Sequence, residues 1–173
     1  DANETVEAWK IALQTKDAPV GLMLTRQNLP TIDREKYAAA DGIARGAYVL
    51  HDNAGGGVPD VILIASGSEV ALAMEAHERL VAEGVRSRLV NMASMRLFEQ
   101  QDNDYKESVL PKSCSSRVAV EAGVTFGWER YTGDGGEIIG IDHFGASAPA
   151  GTLFEQFGFT ADNVYARAKG LLA

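Results

Sequence analysis

The chain has 173 residues, 46% of them apolar and 23% charged, with a formal net charge of -8, the proportions of an ordinary globular protein able to bury one substantial core. That charge, with no basic run, argues against nucleic acid or anionic lipid as partner, since both need basic surface. No apolar stretch approaches the ~20 residues of a membrane helix, and Cys114, the single cysteine, excludes an internal disulfide and a cysteine metal cluster; the expected location is cytoplasmic.

The chain opens DANETVEAWK, without an initiator methionine, and is expected to be a piece of a longer protein. Residues 4–16 read as a helix, with Val6, Trp9, Ala12 and Leu13 at helical spacing. After Pro19, the uniformly apolar Val20–Leu24 reads as a fully buried strand. One helix and one strand cannot cover each other's apolar surface, so residues 1–27 are expected to be the tail of an incomplete domain. The polar, irregular residues 28–45 read as a linker.

From there the rhythm is complete. Ala47–His51 reads as a strand, and Asn53–Gly57 as a flexible turn. Val61–Ala65 (VILIA) reads as a buried strand. Ser66-Gly67-Ser68-Glu69 then opens a helix that Gly84 stops, with Val70, Ala73, Met74, His77, Leu80 and Val81 facing inward. Val85–Met92 is a strand, and 102–110 a helix ended by Pro111. Arg117–Glu121 and Glu137–Ile141 are strands, with a short helix within 125–131, and 149–157 and 162–172 are helices. Strands alternating with helices imply an α/β, doubly wound, mainly parallel five-stranded sheet. The first strand returns through a glycine turn and is expected to run antiparallel at an edge.

Few residues suggest chemistry. Ser66, Gly67 and Ser68 lie between a buried strand and a helix, where backbone amides attract anions. Ser66 and Glu69 equally fit a capping box, which needs no ligand and is the favoured reading. His143 lies just past the last strand, where open sheets place ligands. Ser66, Gly67, Ser68 and His143 therefore define a candidate ligand crevice. His77 begins an HE pair without the second histidine of a zinc motif and reads as a core residue; His51, beside a turn, reads as solvated. Gly133-Asp134-Gly135-Gly136 reads as a turn without the carboxylate spacing of a metal loop, and Cys114 as an inert thiol. No catalytic, cofactor-binding or metal-ligating set is visible.

Several blocks in order carry a resemblance. Leu24-Thr25-Arg26-Gln27-Asn28-Leu29, Gly42–Leu50, Ile64–Val70, Glu107–Pro111, Arg117–Gly123, Phe144–Ala150 and Phe157–Val164 resemble segments at the carboxyl end of the transketolase family. The resemblance implies that 1–27 is the tail of a pyrimidine-binding domain, 28–45 a linker and 46–173 the C-terminal domain. It implies transfer of a two-carbon ketol unit between sugar phosphates in the pentose phosphate pathway, by a homodimer using thiamine diphosphate and Mg²⁺ or Ca²⁺. The family's diphosphate and metal motif has no counterpart here, so this chain alone is expected to be inactive, with a structural, dimer-supporting role. One family contact maps onto it: the arginine that grips the substrate's terminal phosphate matches Arg26, with Thr25 replacing the more usual serine. A guanidinium suits that task, being planar, permanently charged and bidentate. Two alternatives stay open: a sister thiamine diphosphate enzyme (dihydroxyacetone synthase or 1-deoxyxylulose-5-phosphate synthase), and a noncatalytic binding or regulatory module.

Overall fold

The computed structural model describes residues 1–173. Five strands, β1 (Ala47–Asp52), β2 (Val61–Ala65), β3 (Ser87–Met92), β4 (Arg117–Val120) and β5 (Glu137–Ile139), form one sheet in the order β1-β3-β2-β4-β5. All neighbours are parallel except β1 and β3, which pair antiparallel at the edge. Seven α-helices accompany them: α1 (Ala2–Gln14), α2 (Glu69–Ala82), α3 (Met95–Glu99), α4 (Asn103–Val109), α5 (Glu129–Thr132), α6 (Ala150–Gln156) and α7 (Ala161–Gly170), with a 3-10 helix at Ala40–Arg45.

Alternation along the strands builds two cores. Val61, Leu63 and Ala65 point to one face with Leu89, Val118 and Val120, against α2 and α7. Ile62 and Ile64 point to the other with Val90 and Ala119, where Phe98, Val109 and Tyr131 of α3–α5 cover them. Because helices cover both faces, β2 is buried at every position, which is why it reads as a continuous apolar run. Gly46, just before β1, has φ +86; a Cβ there would lie 2.2 Å from the Phe98 nitrogen, so only glycine admits the close approach of α3.

One expectation fails near the amino end. Val20–Leu24 is not a buried strand: it has no ladder partner, and Val20, Met23 and Leu24 are exposed. An apolar run becomes a strand only beside another strand's free edge, and none of the five lies there. The helix expected over residues 4–16 is present as α1; its apolar stripe faces outward, with Val6, Trp9 and Leu13 exposed, and it turns Glu4, Ala8 and Ile11 toward the body. Farther on, Ile32, Tyr37 and Ile43 are buried in the same core as the sheet. The sequence reading also passed over α3.

Candidate functional site

The carboxyl ends of β2 and β4 carry two carboxylates. Ser66 donates to Glu121 from the end of β2 to the end of β4. Glu69, in the first turn of α2, accepts from the Ser68 hydroxyl (2.5 Å) and the Ala122 backbone N–H (3.0 Å). Burial pushes both carboxyls above the usual range, and for Glu121 the charge of Glu69 adds to it. The expected capping box of Ser66 and Glu69 is not formed. Helix α2 begins at Glu69 with Ser68 in the N-cap position, so Ser66 lies too early to cap it and Glu69 is not its third residue; the Ser66 hydroxyl donates to Glu121, and α2 starts without a side-chain cap.

Gly67 and Ser68 line a small cavity with Asp1, Leu29, Pro30 and Ile32. His143 lies elsewhere, in a shallow depression of about 360 Å³ with Val124, Ile141, Asp142 and Phe144. Its Nδ1 lies 2.8 Å from the Phe144 carbonyl and its ring stands edge-on to Phe157. The two halves of the candidate crevice therefore line different depressions.

Arg26 is exposed on the irregular run between α1 and Ile32, beyond Thr25, whose hydroxyl donates to the Gln27 carbonyl (3.2 Å). It enters none of the chain's ion pairs. A permanent cation without an internal anion is available to an external one.

Both ends of that run are fastened to one polar cluster. Asp1 caps α1 by accepting from the Glu4 backbone N–H (3.0 Å), and Glu4 accepts in return from the Asp1 nitrogen (2.8 Å). The other Asp1 oxygen accepts from the Ile32 N–H (2.8 Å), and Arg34 reaches Asp1 (2.9 Å) and the Tyr48 hydroxyl (3.1 Å). Glu4 is buried and accepts from the Tyr48 hydroxyl and from Asn91 Nδ2 (2.5 Å). Tyr48 and Asn91 are register partners on β1 and β3, so the sheet edge presents two donors to one carboxylate. Sequence reasoning missed this cluster. Its signals were the Asp-x-x-Glu opening of a helix and an asparagine within an apolar strand.

His51 is not merely solvated, as the sequence suggested: its Nδ1 lies 2.8 Å from His77 Nε2, and His77 Nδ1 lies 2.9 Å from the Ser87 hydroxyl. A bulge causes this. Val49 pairs with Val90 and His51 with Leu89, leaving Leu50 as the extra residue. Strict alternation would send His51 to the face of Val49; the inserted residue returns it to the face of α2. His77 is a core residue, as its helical spacing predicts. Cys114 is buried, and desolvation pushes its thiol up. Asp142 accepts from the Thr125 N–H and hydroxyl.

A family model described as the transketolase-like TK C-terminal domain matches residues 46–160. The chain is similar to a transketolase of Halalkalibacterium halodurans, 49% identical over 99% of this chain and 26% of the relative. To transketolase 1 of Escherichia coli it is 52% identical over the same shares. Among solved structures, transketolase from Leishmania mexicana superposes with a TM-score of 0.89 at 38% identity, over 99% of this chain and 24% of that one. A Pichia stipitis transketolase in complex with sedoheptulose 7-phosphate gives 0.87 at 35% identity, over the same shares. The chain thus spans about a quarter of the length of the curated relatives it matches.

Proposed function

The chain belongs to the transketolase family, and on that premise we propose that it serves as the carboxyl-terminal part of an enzyme moving a two-carbon ketol unit from a ketose phosphate to an aldose phosphate, with Arg26 gripping the substrate's terminal phosphate. The observation that carries this reading is an exposed, internally unpaired guanidinium within the family block Leu24–Leu29. A relative solved with a sugar phosphate supports the substrate class. Fixing the far end of a substrate holds its reacting carbonyl in place. Residues 1–27 are read as the end of the pyrimidine-binding domain, 28–45 as the linker and 46–173 as the C-terminal domain of a cytoplasmic homodimer. The exposed Val6, Trp9, Leu13, Met23 and Leu24 suit a surface that the upstream part of the enzyme covers.

Thiamine diphosphate with Mg²⁺ or Ca²⁺ supplies the carbanion chemistry when bound to the family enzyme. The residues of this chain do not by themselves fit that group. No three His, Cys, Asp or Glu side chains gather where a metal could be held, and Gly133-Asp134-Gly135 lies in an exposed turn. No step through the cofactor is assigned to these residues.

The test is ketol transfer by the intact enzyme, wild type against Arg26→Ala, with phosphorylated and unphosphorylated aldehyde acceptors. A lost guanidinium–phosphate pair is expected to lower kcat/KM about 100-fold with the phosphorylated acceptor and far less with the other. Equal effects on both acceptors would remove Arg26 from the phosphate site.

A further inference from the structure

We propose that the exposed Asp134-Gly135 turn is a site of spontaneous isoaspartate formation, and that the altered turn loosens the edge strand β5 that follows it.

The chain holds two Asp-Gly pairs, Asp41-Gly42 and Asp134-Gly135, and no Asn-Gly pair. In such a pair the glycine nitrogen can attack the aspartate side chain, because no Cβ on the glycine shields it. The nitrogen bonds to Cγ of the protonated carboxyl and gives up its hydrogen. The Cγ–OH bond breaks, one water leaves, and a succinimide ring remains. Water then opens the ring. Its attack at the main-chain carbonyl returns a hydrogen to the nitrogen and routes the backbone through Cβ and Cγ, with the α-carboxylate left as the side group. One water is lost and one gained, so the change needs no oxidant, reductant or enzyme.

The two pairs sit in opposite surroundings. Asp41 and Gly42 belong to the 3-10 helix at Ala40–Arg45, where the Gly42 N–H donates to the Ala39 carbonyl. A Cβ on Gly42 would lie 2.5 Å from the Tyr48 ring, so this glycine is pressed against an aromatic wall. Asp134 and Gly135 are both exposed in the turn between α5 and β5. The Gly135 N–H has no carbonyl partner, and Asp134 enters none of the chain's ion pairs. The nearest atom a Cβ on Gly135 would meet is the Ser115 carbonyl oxygen, at 3.9 Å. Neither packing nor a hydrogen bond opposes rotation of the Asp134 carboxyl onto the nitrogen.

The ends of the turn are fixed. The Gly133 N–H donates to the Glu129 carbonyl (2.8 Å) and the Gly136 N–H to the Gly133 carbonyl (3.3 Å). Gly136 is wedged, since a Cβ there would lie 2.6 Å from the Thr132 carbonyl oxygen and 2.8 Å from that of Arg117. Isoaspartate adds one methylene carbon to the main chain between these anchors. Gly136 has no room to absorb it, so the displacement passes to β5. That strand has three residues and a ladder partner on one side only, β4, and short edge elements open at low cost.

The experiment ages the intact enzyme in neutral buffer at physiological temperature. Isoaspartyl carboxylates are then methylated with an isoaspartyl methyltransferase and radiolabelled S-adenosylmethionine, and the label is mapped to peptides. Label is expected at Asp134 about tenfold above that at Asp41, the ratio set by the hydrogen bond that Gly42 must break first. Gly135→Ala shields the nitrogen and should remove most of the label at position 134. Asp134→Glu would need a six-membered ring; it should abolish that label while keeping the charge, and it guards against a Gly135→Ala enzyme that does not fold. Amide hydrogen exchange over residues 137–139 should quicken on ageing in wild type and not in either variant. No label at Asp134, or equal label at Asp41 and Asp134, overturns the site. Label at Asp134 with unaltered exchange over 137–139 overturns the loosening of β5.

Discussion

Lowering the pH should destabilise the chain through His77, and a variant lacking the imidazole should isolate that effect. His77 is 1% exposed, and its two ring nitrogens face Ser87 and His51. Burial first, and then the neighbouring His51, lowers the His77 pKa from 6.5 to about 4. The unfolded chain therefore binds this proton at a higher pH than the folded one. Stability from this group is complete above pH 6.5 and falls as the pH drops toward 4. The difference of about 2.5 units corresponds to roughly 3 kcal/mol at ~1.4 kcal/mol per unit. The assay is urea unfolding of wild type and His77→Gln between pH 8 and pH 4. At pH 8 the variant should be the less stable, having lost good contacts to Ser87 and His51. On acidification the wild type alone loses the imidazole contribution, so the gap should close or reverse by about 3 kcal/mol. A gap independent of pH, or a His77 ring resonance titrating near 6.5, would refute the reasoning.

Two further outcomes follow from named contacts. Gly46→Ala meets both the positive φ and a Cβ position 2.3 Å from the Ser94 carbonyl oxygen; its loss of stability in urea unfolding should exceed the ~1–2 kcal/mol of left-handed backbone strain alone. Glu121→Gln should stabilise the chain at pH 7, because burial holds the native carboxyl above its ordinary range and the amide oxygen can still accept from Ser66. A raised carboxyl takes up its proton more readily when folded, so wild type recovers as the pH falls. The advantage of Glu121→Gln should therefore shrink in acid; an advantage that grows in acid would reverse the assigned sign.

The interior of the sheet was legible in the sequence because its cause is local. VILIA is apolar at every position since helices cover both faces, and the spacing of Val70, Ala73, His77 and Leu80 marks the buried side of α2. The edge strand could be expected to be antiparallel from the short glycine connection that precedes β2, and it is. Arg26 was visible through the block that surrounds it, not through any periodicity. By contrast, Val20–Leu24 has the composition of a strand, but a strand exists only where another offers hydrogen bonds.

The sequence by itself determined the elements around β1–β5, α3 excepted, and that helices pack on both faces, because hydrophobic period and turn residues act over a few positions. Only the tertiary structure decided which polar groups meet. Ser66 turned from its own helix to Glu121, 55 residues away. Glu4 found Tyr48 and Asn91 across the sheet edge. One extra residue at Leu50 reversed the face of His51 and delivered it to His77. A side chain's intrinsic preferences carry no record of which distant donor or acceptor will lie opposite; register, bulges and the orientation of packed helices supply that, and they exist only once the chain has folded.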